Sequence, residues 1–123
     1  MATKVLWFSR HTMGEAQFGE LEKVYGPIEL RQVSFTINSV KEIAADVEWA
    51  DVICIVAPLP LQKQFLDAAG SKPVLMAKTS RVLVRDPLLG ANAEEKAVFV
   101  FEAWYRLVRI VVEMERLIPA EAE

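Results

Sequence analysis

Short apolar runs alternate with segments of helical periodicity through the first two thirds of the chain. Residues 5–8 (Val-Leu-Trp-Phe) and 52–56 (Val-Ile-Cys-Ile-Val) are unbroken apolar runs, which are typical of buried strands. Between them, Phe18, Leu21 and Val24 recur at helical spacing among glutamates and a lysine. We therefore predict strands at residues 4–8, 28–35, 51–57 and 73–77, and helices at residues 15–25, 40–49 and 61–69.

Turn-forming residues separate these segments. Gly26-Pro27 follows the first predicted helix, where glycine suits a C-cap and proline prevents continuation, and Gly70 follows the third. Asn38-Ser39 is suited to cap the second. Regular alternation of strand and helix predicts a parallel sheet with right-handed crossovers. We expect an α/β fold, a Rossmann-like parallel sheet of about four strands with flanking helices, in a single domain spanning residues 1–123.

The last third of the chain is apolar but less regular. Residues 86–92 contain proline, glycine and asparagine and predict a loop. Leu107, Ile110 and Met114 fit a helix, whereas the β-branched and aromatic residues of 98–101 and 110–112 favour strands. We favour two further strands in 97–118, forming a hairpin that turns near Glu102-Ala103, with a helix as the alternative. The chain ends in a short acidic segment.

Composition narrows the classes of function. The 123 residues are 53% hydrophobic, and an apolar excess in so small a domain points to a subunit interface. The net charge of −3 argues against a protein that coats extended DNA or RNA, which is normally basic. A compact anion held by a few local cations remains compatible with it.

The single cysteine, Cys54, lies inside an apolar run and is interpreted as a buried thiol. One cysteine and one histidine cannot form a usual Cys/His zinc site. The first residues lack the pattern of a signal peptide, and no stretch approaches the roughly 20 apolar residues of a membrane-spanning helix. We expect a cytoplasmic protein with no membrane association.

Polar residues collect where the four predicted strands end. Because the carboxyl ends of parallel strands meet at one edge of a sheet, we expect these residues to lie near one another and to form a ligand site. In chain order the residues expected at this edge are Ser9, Arg10, His11 and Thr12; Ser34, Thr36 and Asn38; the apolar Leu59, followed by Gln62; and Lys78, Thr79, Ser80 and Arg81.

The residue types at this edge suit a phosphate ligand. Arg10, Lys78 and Arg81, together with hydroxyl groups and helix N-termini, are the groups that bind phosphate oxygens. His11 is the only histidine, and histidine is the residue type suited to proton transfer in catalysis. The same segments carry no carboxylate before Asp86, so we expect no magnesium site and no cofactor.

Structural roles for the same residues remain open. Ser9 and Thr12 are also suited to cap the first helix. Lys78 and Arg81 are equally compatible with ordinary solvated cations.

Two known phosphate-binding patterns are missing. No Gly-x-Gly-x-x-Gly follows the first strand and there is no Gly-Lys-Ser/Thr loop, so a nicotinamide, flavin or ATP cofactor is not supported.

Arg10-His11 resembles the start of the histidine phosphatase motif. That family needs a second histidine, and here Thr12 stands in place of its glycine. We therefore exclude it.

The chain resembles the small stand-alone CRISPR-associated Rossmann-like (CARF-type) ring nucleases of type III systems. The resemblance rests on a first strand that runs into Ser9-Arg10-His11 and on a Leu-Pro segment, 59–60, at a helix start. It covers about the first two thirds of the chain. Thr12-Met13 differs from the proline-containing form of the first motif.

This resemblance implies an antiviral defence protein that binds cyclic oligoadenylate across a homodimer and cleaves it without metal, leaving a 2′,3′-cyclic phosphate. His11 would then be the general acid or base, with Arg10 and Lys78 or Arg81 neutralising the phosphate. Ser9, Thr12 and Asn38 would orient the ribose. The full set of expected ligand-binding residues is Ser9, Thr12, Thr36, Asn38, Leu59, Gln62, Thr79, Ser80 and Arg81.

Two alternatives come from other classes of protein. The same pocket could sequester or sense a cyclic nucleotide without cleaving it. In an interaction protein, the apolar C-terminal third would instead dock on a partner through residues such as Phe99, Trp104 and Ile110. We prefer to assign those side chains to the core and to a dimer interface.

Overall fold

The computed structural model describes residues 2–84 and 96–120. Within them the protein is an α/β structure with a five-stranded mixed sheet and three α-helices. The strands are β1 (Thr3–Phe8), β2 (Ile28–Val33), β3 (Val52–Ile55), β4 (Val74–Val84) and β5 (Lys96–Arg106). The α-helices are α1 (Glu15–Tyr25), α2 (Ala44–Trp49) and α3 (Leu59–Ala69), and a 3₁₀ helix (Val40–Ile43) precedes α2.

The strand order is β2-β1-β3-β4-β5. The first four strands are parallel, as the alternation of strands and helices predicts, and β5 runs antiparallel to β4. β2, the next strand in the chain, lies on one side of β1, and β3 lies on the other side. The carboxyl ends of β1 and β3 therefore flank a topological switch point, where open α/β sheets form their ligand crevices.

Helices cover both faces of the sheet, and side chains of β1 alternate between two apolar layers. Trp7 packs in the layer beneath α1, which buries Leu21. Phe8 packs in the other layer, beneath the 3₁₀ helix, α2 and α3, where its ring lies 5.2 Å from that of Phe65. Val24, which the periodicity assigns to the apolar face of α1, instead faces solvent.

The fourth predicted strand is longer than expected, and its polar end is not a loop. β4 continues from Val74 to Val84, so the segment Lys78–Arg81 lies inside a strand. The reason is the partner strand: β5 supplies backbone groups for the whole length of β4, with one register shift between Lys78 and Thr79. A sequence that looks like a polar strand end is part of a two-stranded ladder.

The predicted hairpin within 97–118 is wrong. Residues 96–106 form a single strand, and Glu102, expected at the turn, lies at the register shift opposite β4. Residues 107–119 contain neither helix nor strand. Other differences are smaller: β2 ends at Val33, α3 starts at Leu59, and the second predicted helix is divided into a 3₁₀ and an α segment. The loop predicted at 86–92 lies outside the described residues.

The outer part of the β4–β5 pair projects beyond the rest of the sheet. β3 meets β4 only at Val74 and Leu75. We call residues 78–84 and 96–103 the ribbon, because these segments of β4 and β5 pair only with each other. No helix in the described residues is long and apolar enough to cross a membrane.

Candidate functional site

A pocket of about 380 Å³ opens at the carboxyl edge of the sheet, beside the switch point. Its walls come from the segments that follow three parallel strands and from the first turn of α3. These residues are 8–11 after β1, 33–37 after β2, Val56 and Pro58 after β3, and Leu61 of α3. The carboxyl ends of β1, β2 and β3 thus converge on one site, as the sequence predicts.

Ser9 fixes the start of the loop after β1. It is only 4% exposed, and its backbone N–H donates to the carbonyl of Val33 at 3.1 Å. Its hydroxyl accepts a hydrogen bond from the backbone N–H of His11, also at 3.1 Å. We predicted that Ser9 would contact ligand or cap α1. In the structure the Ser9 hydroxyl instead bonds the loop backbone, and the N-cap of α1 is Gly14 rather than Ser9 or Thr12.

Two side chains hold the backbone carbonyl of His11. The indole Nε1 of Trp7 donates to it at 2.8 Å, and Nε2 of Gln32 donates at 3.0 Å. The same Gln32 amide nitrogen lies 2.9 Å from the carbonyl oxygen of Ser9. The backbone around His11 is therefore tied to β1 and β2, while its exposed imidazole lines the pocket.

Arg10 joins the first and second pocket segments. Its guanidinium donates a hydrogen bond to the hydroxyl of Thr36, which follows β2. Among the ion pairs of the described residues, none includes Arg10. None of the described residues that line the pocket carries a carboxylate. Arg10 therefore gives the pocket a local positive charge in a protein that is acidic overall.

Apart from Ser34, the other described residues of the lining are apolar, and some of their side chains remain open to solvent. Phe35 is 58% exposed and Val56 is 53% exposed, although both lie at the pocket. Phe8 and Ile37 form its inner wall. An exposed aromatic ring beside a guanidinium and an imidazole can contact a ligand that combines a flat apolar group with a negative charge.

Several predicted site residues lie elsewhere. Thr12 is exposed and is not among the pocket residues, and Leu59 begins α3 outside the lining. The side chain of Gln62 donates to the carbonyl of Ala57 at 2.8 Å, which closes the turn before α3. The backbone N–H of Asn38 donates to Glu42 at 2.6 Å, within the cap of the 3₁₀ helix that Ser39 completes.

The residues predicted after the fourth strand belong to the ribbon and line no part of this pocket. Lys78 pairs with Glu102 at 3.6 Å, and its ammonium lies 5.7 Å from the centre of the Tyr105 ring. Ser80 donates a hydrogen bond to the same Glu102. Thr79 and Arg81 stand opposite aromatic residues of β5 in the ladder. The expected convergence of Arg10 with Lys78 or Arg81 in one chain is not seen.

Sequence reasoning missed Gln32 and Phe35 as site residues. The sequence contained a signal for Gln32, because the alternation of apolar and polar residues in β2 is interrupted at Gln32-Val33. Phe35 was assigned to the strand, whereas β2 ends two residues earlier and leaves the ring at the pocket.

Cys54 does not contribute to the site. It is a buried free thiol in the layer beneath α1, and burial raises its pKa to about 12. The interpretation of Cys54 as a core residue is confirmed. In the described part of the chain, no group of three or more His, Cys, Asp or Glu side chains is placed to hold a metal ion.

Fold and site together define an α/β protein with a small cationic and aromatic pocket at the carboxyl edge of its sheet. Comparisons with protein-family models, with curated proteins and with solved structures find no match to this chain.

Proposed function

We propose that this protein is a Rossmann-like ring nuclease that binds a cyclic oligoadenylate at this pocket and opens it without a metal ion. One observation carries the proposal: Arg10 and His11 line the same pocket as Thr36 and the exposed Phe35. The loop that carries them is fixed by hydrogen bonds from Trp7 and Gln32 to its backbone and by the bond from Arg10 to Thr36. A cation, a proton-transfer group and an aromatic platform are what a nucleotide phosphodiester requires. The resemblance of the first strand and its Ser-Arg-His segment to CARF-type ring nucleases supports the same function.

The proposed reaction is an internal transfer that consumes no water. A ribose 2′-oxygen attacks the adjacent phosphorus, the bond from phosphorus to the 5′-oxygen breaks, and a 2′,3′-cyclic phosphate forms. The 2′-hydroxyl loses a proton, and the departing 5′-oxygen gains one. Arg10 neutralises the charge that develops on the phosphoryl oxygens, and His11 accepts or supplies one of the two protons.

The apolar walls account for a preference for nucleobases. Phe35 presents an open aromatic face, on which a base stacks with about 1–3 kcal/mol of stabilisation. Val56 and Leu61 offer further apolar contact. The hydroxyl of Thr36, positioned by its bond to Arg10, is available to a ribose or phosphate oxygen.

A second candidate function is sequestration or sensing of the same ligand without cleavage. It is favoured because His11 is the one side chain suited to proton transfer among the described residues of the pocket. An imidazole that deprotonates the 2′-hydroxyl cannot at the same moment protonate the 5′-oxygen. A protein that only holds the ring needs neither step.

The proposed setting is cytoplasmic antiviral defence by a type III CRISPR system, with a homodimer that shares one ring between two pockets. The test is to incubate the protein with cyclic tri-, tetra- and hexa-adenylate in the presence of EDTA and to resolve products by chromatography and mass spectrometry. A linear product with a 2′,3′-cyclic phosphate supports the nuclease. Intact ligand that co-elutes with the protein supports sequestration. The absence of both binding and cleavage rejects both functions.

A further inference from the structure

Residues 9–14, which we call the pocket loop, lead from the end of β1 to the start of α1. Arg10 and His11 are exposed on the side of this loop that faces the pocket. Met13, in the same loop, is only 9% exposed and packs in the apolar layer beneath α1. The pocket loop therefore has a solvent side and a core side, and contacts on the core side determine where Arg10 and His11 lie.

A core side chain holds the middle of the pocket loop. The indole Nε1 of Trp7 donates to the backbone carbonyl of His11 at 2.8 Å. The buried Trp7 ring in turn meets Trp104 of β5 edge-on, with 6.0 Å between the ring centres. Trp104 thus forms one of the surfaces against which Trp7 is placed.

Trp104 also reaches the far end of the pocket loop. Its indole Nε1 donates a hydrogen bond of 2.9 Å to the backbone carbonyl of Gln17, in the first turn of α1. The side-chain Oε1 of Gln17 accepts a hydrogen bond of 2.8 Å from the backbone N–H of Gly14, where the loop ends. Two indoles that contact each other therefore hold the loop at two points, one directly and one through Gln17.

The bond from Trp104 to Gln17 is additional to the bonds of the helix itself. A carbonyl inside an α-helix accepts from the N–H four residues later, and its oxygen has a second lone pair. The indole uses that second lone pair and ties the first turn of α1 to β5. Loss of the indole donor should therefore leave α1 helical and release the position of its first turn.

We propose that Trp104 is a positioning residue of the pocket, acting through Trp7 and Gln17 on the backbone that carries Arg10 and His11. Trp104 is not among the described residues that line the pocket, so it acts only through these intermediates. The inference rests on the proposed function in one respect, the claim that loop position matters for cleavage. It gives β5 a role at a site that lies at the ends of other strands.

The first test measures backbone amide hydrogen exchange by NMR on proteins without ligand. Trp104→Phe keeps an aromatic ring and removes the indole donor. The reporters are the N–H groups of His11 and Gly14, which donate within the pocket loop and to Gln17. We expect both to exchange several-fold faster in Trp104→Phe than in the unchanged protein.

The matched control is Trp49→Phe, the same substitution at a tryptophan of α2 that packs against the other apolar layer. It should leave exchange at His11 and Gly14 unchanged. The amides of Val52–Ile55 in β3 report general loss of stability. The inference is overturned if the two loop amides do not respond to Trp104→Phe, if β3 accelerates by the same factor, or if Trp49→Phe has the same effect.

Two measurements replace Trp104→Phe if that variant does not fold. In the unchanged protein the indole N–H of Trp104 should be protected from exchange by its bond to Gln17. In Gln17→Ala the N–H of Gly14 should exchange faster while that of His11, held by the other tether, does not. A freely exchanging indole N–H, or an unchanged Gly14, overturns the inference.

The second test uses the cyclic oligoadenylate that the unchanged protein cleaves fastest, with EDTA present. We expect kcat to fall several-fold in Trp104→Phe with a smaller change in KM, because a displaced loop misplaces His11 in the reaction more than it prevents binding. Trp49→Phe should retain both values. Faster exchange of the loop with unchanged turnover would overturn the role of Trp104 in the reaction.

Failure of the proposed function is recognised separately. A protein that neither binds nor cleaves cyclic oligoadenylate rejects that function, whereas exchange at His11 and Gly14 still decides whether Trp104 positions the loop. If the protein binds the ring without cleaving it, Kd takes the place of the kinetic constants, and an unchanged Kd in Trp104→Phe overturns a role for Trp104 in the site.

Discussion

The indole nitrogen of Trp7 donates a hydrogen bond to the backbone carbonyl of His11, four residues further along the chain. Trp7 is 2% exposed and lies edge-on to Trp104, with 6.0 Å between ring centres. A side chain fixed in the core thus determines where the backbone of an exposed pocket residue lies. Because Trp104 belongs to β5, the core contact also links the pocket loop to the antiparallel end of the sheet.

Gln32→Ala tests the other donor to this carbonyl. Gln32 is exposed and its amide nitrogen bonds the carbonyl oxygens of both Ser9 and His11, so its loss should free the pocket loop with little effect on the core. For the proposed cleavage of cyclic oligoadenylate we expect kcat to fall several-fold, with a change in the free energy of unfolding of about 1 kcal/mol or less. Urea unfolding and steady-state kinetics are the measurements.

The matched control for that change is Glu29→Ala, an exposed position on the same strand that makes no contact with the pocket loop. It should leave both kcat and stability unchanged. An equal loss of kcat in both variants would show that β2 as a whole, rather than the bond to His11, is responsible.

His11→Ala tests proton transfer. If the imidazole takes part in general acid–base catalysis, cleavage of cyclic oligoadenylate should slow by roughly tenfold or more while binding is largely retained. Single-turnover cleavage and equilibrium binding separate the two effects. Unchanged turnover would remove His11 from the mechanism.

Arg10→Ala tests recognition of the negative charge. If the ligand phosphate binds here as proposed, binding should weaken by on the order of 2 kcal/mol, because a charge-assisted hydrogen bond is lost and the described lining holds no other Lys or Arg. Arg10→Lys should recover part of the affinity and restore the salt dependence of binding. Full activity in Arg10→Ala would place the phosphate elsewhere.

The first three strands and the helices that follow them could be predicted because local patterns fix them. The short, mostly β-branched run 52–55, with prolines soon after it, favours a buried strand over a helix, and Gly26 ends α1 where the sequence indicates. The pocket residues Ser9, Arg10 and His11 follow from the same logic, since they come directly after a buried parallel strand.

The C-terminal third could not be predicted because its structure depends on pairing between distant segments. Nothing local in Lys78–Arg81 shows that Phe99 and Phe101 lie opposite it, so the sequence alone predicts a polar loop there. The bond from Gln32 to the pocket loop likewise joins residues 21 and 23 positions apart. Contacts of this kind become visible only when the strands are placed side by side.

Phe65→Ala should be the most damaging of these substitutions for stability. The Phe65 ring is fully buried and packs against Phe8 between α3 and the sheet. Removing a buried phenyl ring costs about 3–5 kcal/mol through lost burial and the cavity left behind. The measurement is urea unfolding, with Phe35→Ala as control, because Phe35 is mostly exposed and its loss should cost far less while weakening ligand binding.

Because Cys54 is buried, the free energy of unfolding should decrease as the pH rises above 9. Burial raises the pKa of this thiol from 9.0 to about 12, so between these values the unfolded chain loses a proton that the folded protein keeps. The stabilisation is complete below pH 9 and declines as pH rises toward 12, by up to about 1.4 kcal/mol per pH unit. Tyr25, whose pKa burial also raises, contributes in the same direction above its usual value of 10.0. Comparison with Cys54→Ala isolates the thiol: the variant should lose the decline that starts near pH 9. An identical pH profile in both proteins would show that the thiol is not protected by the core.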